Sequence, residues 1–392
     1  MTMIDDALPD GGHIGNDDFL NAFGERLSDI IDFDTWDDGV DAANSVERFR
    51  SAIAEAVREE DLRRAVIRRR LLARLSNRPN LPKEAGVYRV KPEEMTIVHE
   101  GLLFPGHVEA VYGTAVVYDS LPIGITQIGV AAVGYGGTSG TFSQRLFHRD
   151  ISSKRTNAVE EALAVLHMRQ ERSDGADHLP YLARRGIKSY AERAILLDKS
   201  EAEWRIGHGN PCSRELLTGV GYMGLLEASL HVLRRLIQKH KKFVFVPDAL
   251  EQRGYLTIGN ALKAGEYAIL TTLEAESIHA VKGWKYGGSF QKVALDFVEE
   301  CCPEILVGLF RISEHAQPCL FYAHRQHVHM AARIAMADSI LRPERGFPML
   351  LDVADVACRG AFSSEGFLGM VHDAYAQSGA KLQYFGERET RR

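Results

Sequence analysis

The sequence predicts a mixed α/β protein, an α+β arrangement around one sheet with a helical extension at its N-terminus. Three observations carry that prediction. Short β-like runs dominate from about residue 86 to 148, a long amphipathic stretch then leads directly into the run Phe-Val-Phe-Val at 243–246, and two helical stretches close the chain after residue 349. Strands first, then helix and strand in alternation, are the pattern of a sheet covered by helices.

In chain order, residues 1–42 form an acidic arm with isolated apolar anchors at Phe19, Leu20, Phe23 and Trp36. Residues 43–82 are a long helix and its linker. The stretch 43–75 contains no Gly or Pro, Asn44-Ser45 supplies a cap, and Ile53, Val57, Leu62, Val66, Leu71, Leu72 and Leu75 recur at roughly helical spacing opposite a face dense in Glu and Arg. Such a stripe has to be covered by the body, a second copy or another protein. Asn77-Arg-Pro-Asn-Leu-Pro breaks the helix, and residues 83–392 are the expected sheet domain. Its strands are expected at 87–90, 96–98, 115–118 and 129–135, the last turning through glycines at 136–140 into 141–148. No Gly-Lys-Ser/Thr follows those glycines, so the turn is not a phosphate loop. Helices are expected at 152–175, 182–205 and 213–240, the last with Leu216, Leu217, Met223, Leu226, Leu230, Leu233 and Leu236 on one side. Strands at 243–246, 266–273, 304–312 and 319–322 and helices at 349–358 and 363–378 complete the reading.

At 392 residues, the chain is long enough for one large domain and an appendage. Its 45% hydrophobic and 26% charged residues exclude disordered and fibrous classes. A net charge of −6 supplies no global basic field, so contacts to nucleic acid would have to come from patches such as Arg68-Arg69-Arg70 or Lys239-His240-Lys241-Lys242. The five cysteines form no Cys-x-x-Cys pair, which suits a reduced intracellular protein better than a disulfide scaffold or zinc site. The N-terminus shows no basic-then-apolar leader, and no apolar run approaches a membrane span of about 20 residues. The expectation is a cytoplasmic protein with no membrane association.

Three acids point to chemistry. Asp119 closes Thr-Ala-Val-Val-Tyr-Asp-Ser, Asp248 closes Phe-Val-Phe-Val-Pro-Asp, and Asp355 lies in Gly-Phe-Pro-Met-Leu-Leu-Asp-Val-Ala-Asp. A carboxylate at the end of a buried run is costly to desolvate unless it is paired or holds a cation. Three that converge suit a hard divalent ion with oxygen ligands. The alternative is that each only caps its own element. His324, His327 and His329 match no zinc pattern, and Trp204 and Trp284 serve either base stacking or the core.

On these motifs, residues from about 86 to 380 resemble the NurA family of DNA end-processing nucleases, on a ribonuclease H-like fold. The resemblance puts a leading metal ligand at Asp119 in Tyr118-Asp119-Ser120, and a second at Asp248 in Val246-Pro247-Asp248-Ala249-Leu250. It puts a third at Asp355, after Gly346-Phe347-Pro348. It places one acid on the helix before the middle strand, for which Glu227 is the candidate and Glu192 the rival. The first motif lacks the family's glycine, Ala249 replaces a Gly-Ser pair, and Phe347 replaces a Tyr. The resemblance implies a metal-dependent deoxyribonuclease with two Mn²⁺ or Mg²⁺ ions held by Asp119, Glu227, Asp248 and Asp355, with Asp119 between them. It also implies DNA as substrate, a homodimer, and a HerA-like hexameric ATPase as partner. The length, apolar stripe and arginine-rich end of 43–75 make it the candidate surface for assembly, against packing on its own domain. The competing reading is a catalytically silent nucleic-acid-binding subunit. A sugar-kinase-like ATPase lacks the glycine-rich loop at a helix N-terminus that it needs.

Overall fold

The computed structural model describes residues 16–36, 46–47, 49–120, 123–137, 140–150, 159, 163, 178–248, 253–284 and 288–379. Their strands are β1 (Gly86–Arg89), β2 (Val108–Ser120), β3 (Ile123–Val133), β4 (Gly140–Asp150), β5 (Trp204–His208), β6 (Phe243–Val246), β7 (Glu266–Thr272), β8 (Ile305–Arg311) and β9 (Cys319–His324). All nine join one mixed sheet in the order β1-β7-β8-β9-β6-β5-β2-β3-β4. The β2-β3-β4 meander is antiparallel, whereas β5 runs parallel to both β2 and β6. Parallel neighbours need crossovers, and helices supply them.

Both faces of the sheet are covered, which is why β3, β5, β6 and β8 are nearly continuously buried. Alternation along β2 divides its side chains between two cores. Val111 joins Leu196, Leu226, Leu233, Phe245 and Phe297, under helices Ile187–Asp198, Met223–Arg234 and Ser289–Cys301. Ala110 joins Ile206, Val246, Phe321, Ile334 and Leu350, under helices Val328–Ser339 and Met349–Ala361. The predicted mixed α/β class is therefore correct, with a sheet between two helical layers.

Several elements differ from expectation. Residues 96–98 belong to a helix, Pro92–Val98, opened by Pro92 and by Glu94 accepting from the Lys91 backbone N–H at 2.9 Å. The stretch 182–205 is not one helix; it ends at Asp198 and yields β5. The helix expected over 213–240 breaks at Gly219 and Val220, whose φ angles of 57° and 49° are left-handed. A Cβ at residue 219 would stand 2.7 Å from the Leu226 backbone nitrogen, so glycine is required there. Helices Arg253–Asn260, Glu274–Lys282, Ser289–Cys301 and Val328–Ser339 were not anticipated. The helix expected over 152–175 lies outside the described residues, apart from Val159 and Leu163.

Met1–Asp61 and Leu62–Arg392 are two compact units. The first contains helices Asn16–Phe23 and Leu27–Ile31. The long helix, expected over 43–75, spans Arg50–Arg70 and tightens into a 3₁₀ segment, Leu72–Asn77. Its expected stripe is only partly covered. Leu72 and Leu75 are buried, whereas Ile53, Val57, Leu62 and Val66 are exposed. In the second unit, Arg68 makes a two-pronged bond to Glu266 at 2.8 and 2.9 Å and a further bond to the Ala261 carbonyl. No described helix is long and apolar enough to cross a membrane.

Two packing features fix the elements around the centre of the sheet. Gly207 of β5 lies under the Phe245 ring, and a Cβ there would come within 2.0 Å of it. Asp338, fully buried, accepts from the Tyr135 hydroxyl at 2.6 Å and from the Leu350 backbone N–H at 2.8 Å. It thus satisfies an orphan donor at the start of helix Met349–Ala361. Burial pushes the Asp338 carboxyl up to about 6; the two hydrogen bonds oppose that shift and the Asp352 charge adds to it.

Gly207→Ala is expected to destabilise the protein by about 1–3 kcal/mol, because Phe245 sits in a filled core and cannot yield; its urea midpoint falls below that of the wild type. Asp338 provides a pH test. Its folded pKa is raised, so its contribution is fully present below the unfolded carboxyl pKa and is lost as pH rises through about 6. The stability of the wild type relative to Asp338→Asn should therefore decline between pH 4 and 7, by up to about 3 kcal/mol. A difference that is flat or rises with pH contradicts this assignment.

Candidate active site

The parallel strands β5 and β6 end side by side, at His208 and Val246, while β2 continues past them. The crevice beyond the carboxyl ends of parallel strands is where open α/β sheets bind ligands. Here it contains a cleft of about 380 Å³ lined by His208, Asn210, Asp248, Tyr255, Glu276 and Tyr322, among others.

Beside the cleft, two helices carry acids against β2 from opposite faces, and neither acid lines the cleft itself. Helix Ile187–Asp198 carries Glu192, whose carboxylate is buried against β2. A Cβ at Gly113 would lie 2.6 Å from Glu192 Oε1, so only glycine leaves the room. Arg193, also buried, donates to Glu192 Oε2 at 2.6 Å, to the His208 carbonyl at 3.2 Å and to the Asn210 carbonyl at 2.7 Å. It thereby ties the helix to the turn after β5. Gly209 makes that turn at φ +78°, and Asn210 extends it by donating to Glu276 Oε1 at 3.0 Å and accepting from the Cys212 N–H at 2.9 Å. On the other face, helix Met349–Ala361 carries Asp355. One of its oxygens pairs with Arg359, while Oδ1 is buried with no hydrogen-bond partner among the described residues.

Tyr112 of β2 stands between these groups. Its ring lies 5.3 Å from that of His208, and His208 Nε2 is 3.6 Å from Asp248 Oδ2. Burial pushes the Tyr112 hydroxyl up to about 12, and the charges of Asp355, Glu192 and Asp248 add to that, with Arg359 opposing. Burial likewise raises the Cys358 thiol to about 11, with Glu192 and Asp355 contributing. Three carboxylates from three separate elements thus act on one phenol.

Of the acids singled out in the sequence, the structure brings Asp248 and Asp355 to this group. Glu227 is not brought there: it points outward from helix Met223–Arg234 and is exposed, because that helix buries Leu226, Leu230 and Leu233 instead. The helix acid at the site is Glu192. Asp119 pairs with Gly124 of β3, seven residues beyond Tyr112, which is roughly 23 Å along an extended strand; its side chain lies outside the described ones. Phe347 is buried, with the Arg345 guanidinium 5.5 Å from its ring, consistent with a packing role. Tyr112, Arg193, His208 and Asn210 were not anticipated. The signal for the last two was the run Trp-Arg-Ile-Gly-His before Gly-Asn-Pro, a short strand entering a turn.

The histidine triplet has other work. His324 accepts from the Gln326 N–H at 3.1 Å, and His329 shares a hydrogen bond with the Tyr267 hydroxyl at 2.9 Å. Among the described residues, no three His, Cys, Asp or Glu side chains are already gathered as a metal-binding group.

No protein-family model matches the sequence, and no curated protein matches it significantly. Several solved nuclease structures align with the chain. The NurA nuclease from Sulfolobus solfataricus aligns with a TM-score of 0.48 and 9% identity, over 88% of this chain and 99% of that one. A structure of NurA bound to dAMP and manganese aligns with a TM-score of 0.37 and 8% identity, over 81% and 93%. Endonuclease V from Bacillus subtilis aligns with a TM-score of 0.31 and 10% identity, over 77% and 92%.

Proposed function

We propose that this protein is a metal-dependent deoxyribonuclease whose site lies at the carboxyl ends of β5 and β6. The observation that carries the reading is a placement: Glu192 fills the notch at Gly113 of β2, Asp248 stands 3.6 Å from His208 whose ring faces Tyr112, and Asp355 lies one turn before Cys358, in the cluster Tyr112 packs against. Their chemistry fits a hard cation such as Mn²⁺ or Mg²⁺, which takes carboxylate oxygens. Asp355 Oδ1, buried with no donor, is an oxygen such an ion would satisfy. Asp355 pairs with an Arg359 side chain that is 65% exposed, and ion pairs in water are weak; the Asp248 side chain is itself mostly exposed. When bound, the ion would supply Lewis acidity at a phosphodiester and its attacking water. Glu192 stays fixed by Arg193 and holds its ligand oxygen in place. The His208 ring borders the cleft, with the Tyr112 ring 5.3 Å behind it, and would orient a phosphate there.

DNA as substrate, a homodimer and a HerA-like hexameric ATPase as partner follow from the motif resemblance and are part of this proposal, as is the cytoplasmic location expected from the sequence. In the second unit, the exposed Leu62 and Val66 offer an apolar patch to such a partner. A second reading, binding of nucleic acid without hydrolysis, is favoured by one observation: each carboxylate already has a basic side chain of the protein beside it. Glu192 has Arg193 and Lys188, Asp355 has Arg359, and Asp248 has His208.

Labelled linear DNA incubated with Mn²⁺ separates the two readings: shortened products support the first, and retarded but intact DNA supports the second. Within the first, Glu192→Gln is expected to lower the cleavage rate by on the order of 10²–10³, and Gly113→Ala to lower it by displacing the same carboxylate. Glu227→Gln should cut as the wild type does. Equal rates for Glu192→Gln and wild type would remove Glu192 from the site, and cutting that survives exhaustive chelation would exclude the metal.

A further inference from the structure

Resting on the metal-dependent reading, we propose that the site takes one divalent cation per chain rather than two, because Tyr112 occupies the place of a bridging ligand. Two ions about 4 Å apart need an anionic group between them. The strand at this place is β2: its Gly113 backs onto Glu192, and its Tyr112 faces the His208 ring and packs against the cluster that contains Cys358. A neutral tyrosine side chain, unlike a carboxylate, supplies no anionic oxygen pair to bridge two dications. Gly113 has no side chain, and the space of its missing Cβ is filled by Glu192. The acid expected on this strand, Asp119, lies roughly 23 Å further along it.

Charge leads to the same count. The Glu192 carboxylate is matched by Arg193, and both side chains are only 5% exposed, so that pair cannot separate without stranding a buried charge. Asp248 is mostly exposed and Asp355 pairs with the exposed Arg359, so neither is locked in a buried ion pair, and their two negative charges balance one dication. A second ion would bring two further positive charges into a half-buried crevice that already holds Arg193 and Lys188.

The test is direct counting of Mn²⁺ on the full chain by electron paramagnetic resonance and calorimetric titration. The wild type is expected to bind one ion, and Tyr112→Phe also one. Tyr112→Asp, shown to be folded by circular dichroism, is expected to bind two. Two ions on the wild type would overturn the one-ion proposal and leave metal dependence standing. No bound ion at all would overturn both. Should Tyr112→Asp fail to fold, the wild-type and Tyr112→Phe counts decide the matter. A folded Tyr112→Asp that still takes one ion would show that position 112 is not the bridging place.

Discussion

The buried Glu192–Arg193 pair is the contact on which the arrangement at the sheet's centre depends. Arg193 reaches from its helix to two carbonyls of the turn after β5, and Glu192 fits into the notch left by Gly113 on β2. A guanidinium with several acceptors in fixed geometry suits such a task better than a lysine would. Removing either partner leaves an uncompensated charge in the interior, a loss of about 3–5 kcal/mol in comparable cases. The pair also sets the distance between a helix on one face of the sheet and the strand ends that open onto the cleft. Asp338 does the corresponding work on the other face, holding the first turn of helix Met349–Ala361 so that Asp355 meets Tyr112.

Much of the fold was legible because apolar runs and turn residues marked it. The meander from β2 to β4, the buried strands β6 to β9 and the two closing helices all follow from hydrophobic period and glycine turns. Asp248 and Asp355 were legible for the same reason, since each follows such a run. β5 was not legible. Its five residues include Arg205, a buried arginine that bonds to the Leu196 and Ser200 carbonyls, and Gly207, required by the Phe245 ring. Neither residue advertises a central strand, and the preceding helical pattern runs into it. With β5 unrecognised, His208 had no strand end to occupy, and the helix acid was sought before β6 instead of before β5.

Glu192 and Tyr112 illustrate a limit of local reading. Glu192 lies on a helix whose polar sequence suggests a solvated surface, and its burial follows from one glycine on a strand 79 residues earlier. Tyr112 reads as an ordinary strand aromatic until three elements deliver carboxylates beside it. The same composition explains why the site's electrostatics are moderate. Positive charges from Arg193, Lys188 and Arg359 offset the acids, so the apo fold does not carry the repulsion of a bare carboxylate cluster.

The central claim is a location: a site at the carboxyl ends of β5 and β6, around Tyr112. Crystals soaked in Mn²⁺ and measured for anomalous scattering test it most directly. The account predicts a peak within coordination distance of Asp355 Oδ1 and the Glu192 and Asp248 carboxylates. A peak beside Asp119 or Glu227 instead, with none near Tyr112, would contradict it.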